Sequence, residues 1–160
     1  MRKRSAPPRR LASGARNRVR LVTRAGIAHF DLVVSSLERS LPFYRDLLAP
    51  LGYTDVDDIV GERGEEAWYV SIPGRFEGSL GLREATSAGD GSAHDRYAVG
   101  VHHVCFYAAT RDVVDERWRW LRDRGAAIES DPREYGYTPG YYAVFFYDPD
   151  GIKLEILHRP

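Results

Sequence analysis

The chain is written twice. Sliding the sequence along itself by 74 residues lays Ile27-Ala28-His29-Phe30-Asp31-Leu32 over Val101-His102-His103-Val104-Cys105-Phe106, and lays Leu80-Gly81-Leu82 over Leu154-Glu155-Ile156. At the same offset Leu47 falls on Leu121 and Val70 on Val144. Self-similarity at a fixed spacing marks a repeated supersecondary unit that buries its apolar surface with the help of its copy. No reading of the fold that treats the halves as unrelated survives this pattern.

Each half carries the same order of elements. His29–Val34 and His103–Ala108 are short runs rich in Val, Phe and Leu that read as strands. A helix follows in each. In the first half Ser40 is the expected N-cap, because Pro42 is tolerated only in a first turn, and Phe43, Leu47 and Leu51 form an apolar stripe. In the second half Thr110 caps, Val114, Trp118 and Leu121 form the stripe, and Gly125 ends the helix. Three more strands close each half: 54–59, 67–72 and 79–83, then 127–130, 141–147 and 152–158, with Asp148-Pro149-Asp150-Gly151 as a turn. Each half is therefore βαβββ. A four-stranded sheet with one helix leaves a face bare, and two such modules side by side curl into an eight-stranded open cup with helices outside. The predicted class is α+β, with module 1 at about 27–85, a polar linker at 86–98 and module 2 at about 99–160.

Charge separates off the N-terminus. Residues 1–24 hold nine basic side chains and no acid, leaving 14 of the 23 basic residues to face all 23 acids in the remainder. A segment so basic, with Pro7, Pro8 and Gly14, cannot bury an apolar face and is expected to be disordered. The rest is acidic and shows no basic groove, which argues against a nucleic-acid partner. No run of about 18 apolar residues exists to cross a membrane, and no apolar signal segment is present. The single cysteine, Cys105, forbids an internal disulfide and fits a reducing cytoplasm.

Five histidines are present, and two of them, His29 and His103, occupy the same place in the repeat. Side chains alternate along a strand, so equivalent positions in duplicated modules are expected to aim at the same cavity. Glu155, between apolar Leu154 and Ile156, is expected to face the concave side. Two imidazoles and one carboxylate suit a single divalent metal such as Fe, Mn, Zn or Ni and leave coordination positions open. Gly81, the counterpart of Glu155, supplies no side chain, so three protein ligands are the maximum that this symmetry offers. His102, one residue out of register, is expected to face away. Cys105 is read as a small buried hydrophobe.

Two segments carry a family resemblance. Ser36-Leu37-Glu38-Arg39-Ser40-Leu41-Pro42-Phe43-Tyr44-Arg45-Asp46-Leu47-Leu48, after His29, and Phe146-Tyr147-Asp148-Pro149-Asp150-Gly151-Ile152-Lys153-Leu154-Glu155-Ile156 resemble the hallmarks of the vicinal oxygen chelate superfamily, which includes glyoxalase I, extradiol dioxygenases and the fosfomycin- and bleomycin-resistance proteins. The resemblance implies metal ligation by His29, His103 and Glu155, with Glu155 also catalytic, and chelation of two adjacent oxygens of a small substrate. It implies a metal-dependent lyase or isomerase, a dioxygenase or a transferase. The departures are specific. Gly81 stands where glyoxalase I has a fourth ligand, Phe145 where extradiol enzymes place a Tyr, and no cation-binding loop of the fosfomycin type is visible in 134–142. Bleomycin-binding members lack the metal set, which this chain retains; a non-catalytic antibiotic-binding protein is the alternative reading. Trp68, Tyr137 and Tyr142 are candidate pocket residues, because tyrosyl hydroxyls near a metal act as acids or orient a ligand. A homodimer is expected, because an open sheet leaves edges and apolar surface to cover.

Overall fold

The computed structural model describes residues 26–87 and 94–160; the basic tail and part of the linker lie outside the described residues. In chain order the elements are β1 His29–Val34, α1 Leu37–Leu48, β2 Asp55–Val60, β3 Glu66–Ile72, β4 Arg75–Glu84, β5 Val104–Tyr107, α2 Arg111–Asp123, β6 Ile128–Glu134, β7 Tyr142–Tyr147 and β8 Lys153–His158, with one 3-10 turn at Ala49–Leu51. The βαβββ unit occurs twice, as the repeat requires. The strands form two sheets of four, ordered β1-β4-β3-β2 and β5-β8-β7-β6. The eight strands are thus shared equally, and among the described residues no strand pair joins the two sheets.

The repeat extends to the register. β1 lies parallel to β4 with Phe30 beside Leu80 and Asp31 beside Gly81. β5 lies parallel to β8 with Val104 beside Leu154 and Cys105 beside Glu155. These are the pairs that the 74-residue shift equates, so the two sheets are built to one plan. The last strand of each module is central, which is why it reads as apolar on both sides of Glu155.

Alternation sorts the side chains. Leu32, Val34, Leu80, Leu82, Phe106, Val144, Phe146, Leu154 and Ile156 are buried together with Tyr44, Leu47, Val114 and Leu121 of the helices in one core spanning both modules. The alternate face of the first strands is open: Val33 is 61 % and Tyr107 67 % exposed. Each helix covers the face of its sheet opposite His29 or His103, and the helices also meet. Phe43 packs on Trp120 with ring centroids 5.7 Å apart, and Arg117 Nη1 donates to the Asp46 carbonyl at 3.0 Å. The modules thus meet through these helix contacts and one shared core, while the strand faces that bear His29 and Tyr107 are open.

The two hallmark segments lock this arrangement. The buried Tyr44 hydroxyl donates to Asp148 Oδ2 at 2.8 Å. Asp148 Oδ1 in turn accepts from Ile152 N at 2.7 Å and Asp150 N at 2.9 Å, shaping the turn. Asp150 accepts from Ser35 N at 2.8 Å and from Arg39.

Helix α1 begins earlier than the sequence suggests. The cap is Ser36, whose Oγ accepts from Arg39 N at 3.3 Å, rather than Ser40. Glu84 Oε2 satisfies the Leu37 N–H at 2.8 Å from β4, so the added turn has its donors met and Pro42 sits inside the helix. In α2 Thr110 caps as expected, and Gly125 takes a left-handed φ of 68° just past the end. β6 runs on to Glu134 through two irregularities flanking Ser130, which accommodate Pro132 on this edge strand.

Candidate functional site

The second module brings two of the expected ligands together. His103 precedes β5 and Glu155 lies on β8. His103 Nε2 stands 3.2 Å from Glu155 Oε2. Two donors of one metal, with bonds of about 2.0–2.2 Å, sit roughly 3.0–3.4 Å apart, so the pair is spaced as adjacent ligands are. Glu155 is 1 % exposed, and its other oxygen accepts from the Tyr141 hydroxyl at 2.5 Å. Among the described residues no Lys or Arg forms an ion pair with it. A carboxylate taken this far out of water needs charge compensation, and a divalent cation would supply it.

The groups around this pair are set by the same burial. Desolvation, then the Glu155 hydrogen bond and charge, pushes the Tyr141 phenol well above its ordinary pKa, so it stays a donor at neutral pH. Cys105 is exposed, not the small buried hydrophobe the sequence suggests, because it lies on the open face of β5 beside Glu155; desolvation, then the Glu155 charge and hydrogen bond, still push its thiol well above the ordinary range.

His102 joins the site unexpectedly. Its Nδ1 shares a hydrogen bond of 2.7 Å with His103 Nδ1, which leaves His103 Nε2 facing Glu155. Such an outer hydrogen bond fixes the ring of a metal-ligating imidazole. Parity reasoning misplaced His102 because both histidines precede the first paired residue of β5, where strict alternation does not yet hold.

A cavity of about 390 Å³ opens in front of the pair, lined by Tyr135, Tyr137, Tyr141 and Phe145 as well as His103 and Glu155. Tyr135 and Tyr137 stack with centroids 5.6 Å apart and planes 7° off parallel. Of the three candidate pocket residues, Tyr137 lines this cavity. Trp68 and Tyr142 do not. Both pack against the helix-side core, with Tyr142 donating to Asp115 at 2.8 Å and Trp68 to Glu66 at 2.6 Å. They are repeat-equivalent, and both fall on the strand face opposite the ligands. Sequence reasoning missed Lys153 and Glu129 at the cavity rim, joined at 2.6 Å, with Arg96 on Glu129 at 2.5 Å.

His29 stands apart from that pair. It begins β1, packs edge-on to Tyr69 at 5.5 Å and against Phe76 at 5.6 Å, and its Nε2 lies 4.0 Å from Asp31 Oδ1. Among the described residues no three His, Cys, Asp or Glu side chains gather to hold a metal within one chain. The donor chemistry fits a divalent ion, and the set within one chain is two-thirds of that expected.

Comparison with known proteins accords with the fold. A family model described as the Glyoxalase/Bleomycin resistance protein/Dioxygenase superfamily matches residues 26–156. An uncharacterized Bacillus subtilis protein, YqjT, is 29 % identical over 131 residues, covering 81 % of this chain and 95 % of that one. A solved glyoxylase/bleomycin resistance protein/dioxygenase domain from Frankia shares 25 % identity at a TM-score of 0.66, covering 86 % of this chain and all of its own. A Bacillus halodurans structure shares 28 % identity at a TM-score of 0.64, covering 83 % and 95 % of the respective chains.

Proposed function

Because the chain belongs to the Glyoxalase/Bleomycin resistance protein/Dioxygenase superfamily, we propose that it is a metal-dependent enzyme of a small oxygenated organic substrate, active as a homodimer. His103 and Glu155 of one protomer and His29 of its partner hold the metal in this reading. The observation that carries it is the desolvated Glu155 carboxylate, 1 % exposed, 3.2 Å from His103 Nε2 and, among the described residues, without an ion pair to Lys or Arg. The exposed faces that bear His29 and His103 are the surfaces that a second copy would cover.

A bound Fe, Mn, Zn or Ni ion would act as a Lewis acid toward two adjacent substrate oxygens. The chain's own groups then have distinct tasks. Tyr141 holds Glu155 in place and keeps its proton. Glu155 is the available base, since Glu129 is committed to Lys153 and Arg96. The tyrosine wall shields the site from water and offers flat apolar surface to the substrate. A cytoplasmic location accompanies this reading, since the lone cysteine needs no oxidising compartment.

Subunit mixing tests the reading. Neither His29→Ala nor Glu155→Gln homodimers should retain a complete metal site. Co-refolded in equal amounts, half of the dimers are mixed and each rebuilds one site, so metal content returns to about one quarter of wild type. Metal binding by each variant alone at the wild-type level refutes the proposal. The stacked Tyr135 and Tyr137 favour a second reading, a non-catalytic small-molecule-binding protein of the bleomycin-resistance type; affinity for an aromatic ligand that is unchanged in metal-free protein would decide for it.

A further inference from the structure

Asp31 is a carboxylate that the metal reading leaves unused. It sits beside Gly81 in the parallel register of β1 and β4, the relation that Cys105 bears to Glu155 in the second module. Gly81 offers no side chain, and Asp31 occupies the volume that one would need. A Cβ built on Gly81 would lie 2.8 Å from Asp31 Cγ and would collide with Oδ1. The acid of the first module has moved from the central strand to its neighbour.

Its two oxygens are treated unequally. Oδ2 accepts from Arg83 Nε at 2.7 Å and from the Tyr69 hydroxyl at 3.2 Å. Oδ1 is buried and has no hydrogen-bond partner. It lies 4.0 Å from His29 Nε2, beyond hydrogen-bond range. The guanidinium that could have satisfied it is turned away, with Nη1 on Glu65 Oε1 at 2.6 Å. A counter-ion for Arg83 alone does not account for a buried oxygen aimed past the guanidinium toward a candidate ligand.

We propose that Asp31 supplies the oxygen donor that Gly81 withholds, so that the first module brings His29 and Asp31 to the metal as the second brings His103 and Glu155. This rests on the metal reading given above and enlarges it from three protein donors to four, two imidazoles and two carboxylates. His29 is 45 % exposed, so its ring has room to turn by the fraction of an ångström that separates 4.0 Å from the roughly 3.0–3.4 Å spacing of adjacent ligands.

The test is a cobalt(II) titration of the full-length protein, read by equilibrium dialysis and visible absorption, with far-UV circular dichroism as the control for folding. Asp31→Asn should weaken binding by about tenfold or more and change the cobalt spectrum, and His103→Ala should weaken it at least as much. Asp31→Ala combined with Gly81→Glu should recover affinity to within about threefold of wild type, because the carboxylate returns from β4 into the emptied volume. Loss without recovery in that folded double variant makes Asp31 a positioning residue for His29 and overturns the donor role. Wild-type binding in Asp31→Asn with loss in His103→Ala overturns the inference and leaves the metal reading standing. Wild-type binding in both removes the metal reading and the inference with it.

Discussion

Tyr44→Phe isolates the tie between the two modules. The Tyr44 ring is fully buried, so removing one oxygen leaves its apolar packing intact and changes only the 2.8 Å hydrogen bond to Asp148. Burial first, and the Asp148 charge second, hold the phenol well above its ordinary pKa, so it donates throughout the neutral range. A hydrogen bond to a charged group contributes about 1.5–3 kcal/mol. Asp148 is itself buried, and the oxygen released finds no water, which places the cost in the upper half of that range, about 2–3 kcal/mol. At roughly 3–4 °C per kcal/mol for a domain of this size, the melting temperature should fall by about 6–12 °C. Calorimetry and urea unfolding at one fixed protein concentration measure it, since a dimer's stability depends on concentration. A double-mutant cycle with Asp148→Asn should return a coupling above about 1 kcal/mol. A Tyr44→Phe protein within about 0.5 kcal/mol of wild type, with no coupling, would refute the view that this contact ties the two modules together.

Two further outcomes follow from groups at the cavity. Burial would raise the Glu129 pKa, but hydrogen bonds from Lys153, Tyr147 and Arg96 outweigh it and bring the pKa down to about 2. A depressed carboxylate adds stability that is present above its unfolded pKa of about 4.3 and is lost as pH falls toward 2. Wild type should therefore lose more stability than Glu129→Gln between about pH 4.5 and 2, and parallel urea-midpoint curves would contradict this. Tyr141→Phe removes the 2.5 Å donor to Glu155; it should weaken divalent-metal binding by about 10–100-fold in a folded protein, and unaltered affinity by dialysis would strip Tyr141 of its positioning role.

The sequence makes some of this legible for definite reasons. Duplication fixes which positions are equivalent: the offset equates Asp31 with Cys105 and Gly81 with Glu155, and the registers then place the two pairs alike. What parity cannot say is which face a strand presents. Trp68 and Tyr142 look like pocket residues by composition, yet Trp68 pairs with Leu82 on the buried face of β4, and Tyr142 shares the parity of Val144 and Phe146. A contact over long separation leaves no local trace. Glu84 reaches back 47 residues to the Leu37 N–H, and the start of α1 moves with it. His29 and His103 match in the repeat, but equivalence makes two surfaces alike without making them meet, and among the described residues His29 is not gathered with His103 and Glu155.

The two modules hold their acids by different means, and the difference assigns the chemistry within the proposed site. Asp31 is bound by a guanidinium, Arg83, whose positive charge stands against its own. Glu155 is bound by a phenol and an imidazole, and neither brings a fixed positive charge. In the proposed site both acids would face the metal, and Glu155, with no guanidinium on it among the described residues, would be the one open to the substrate's proton. A Lys or Arg beside Glu155 would satisfy its burial and spoil both roles; the one lysine at the cavity, Lys153, is instead held on Glu129 at 2.6 Å. Among the described residues the rim network thus keeps the Lys153 ammonium off Glu155, and in the proposed site the duplicated halves would serve unequally, the first by shaping the donor set and the second by carrying the reactive charge.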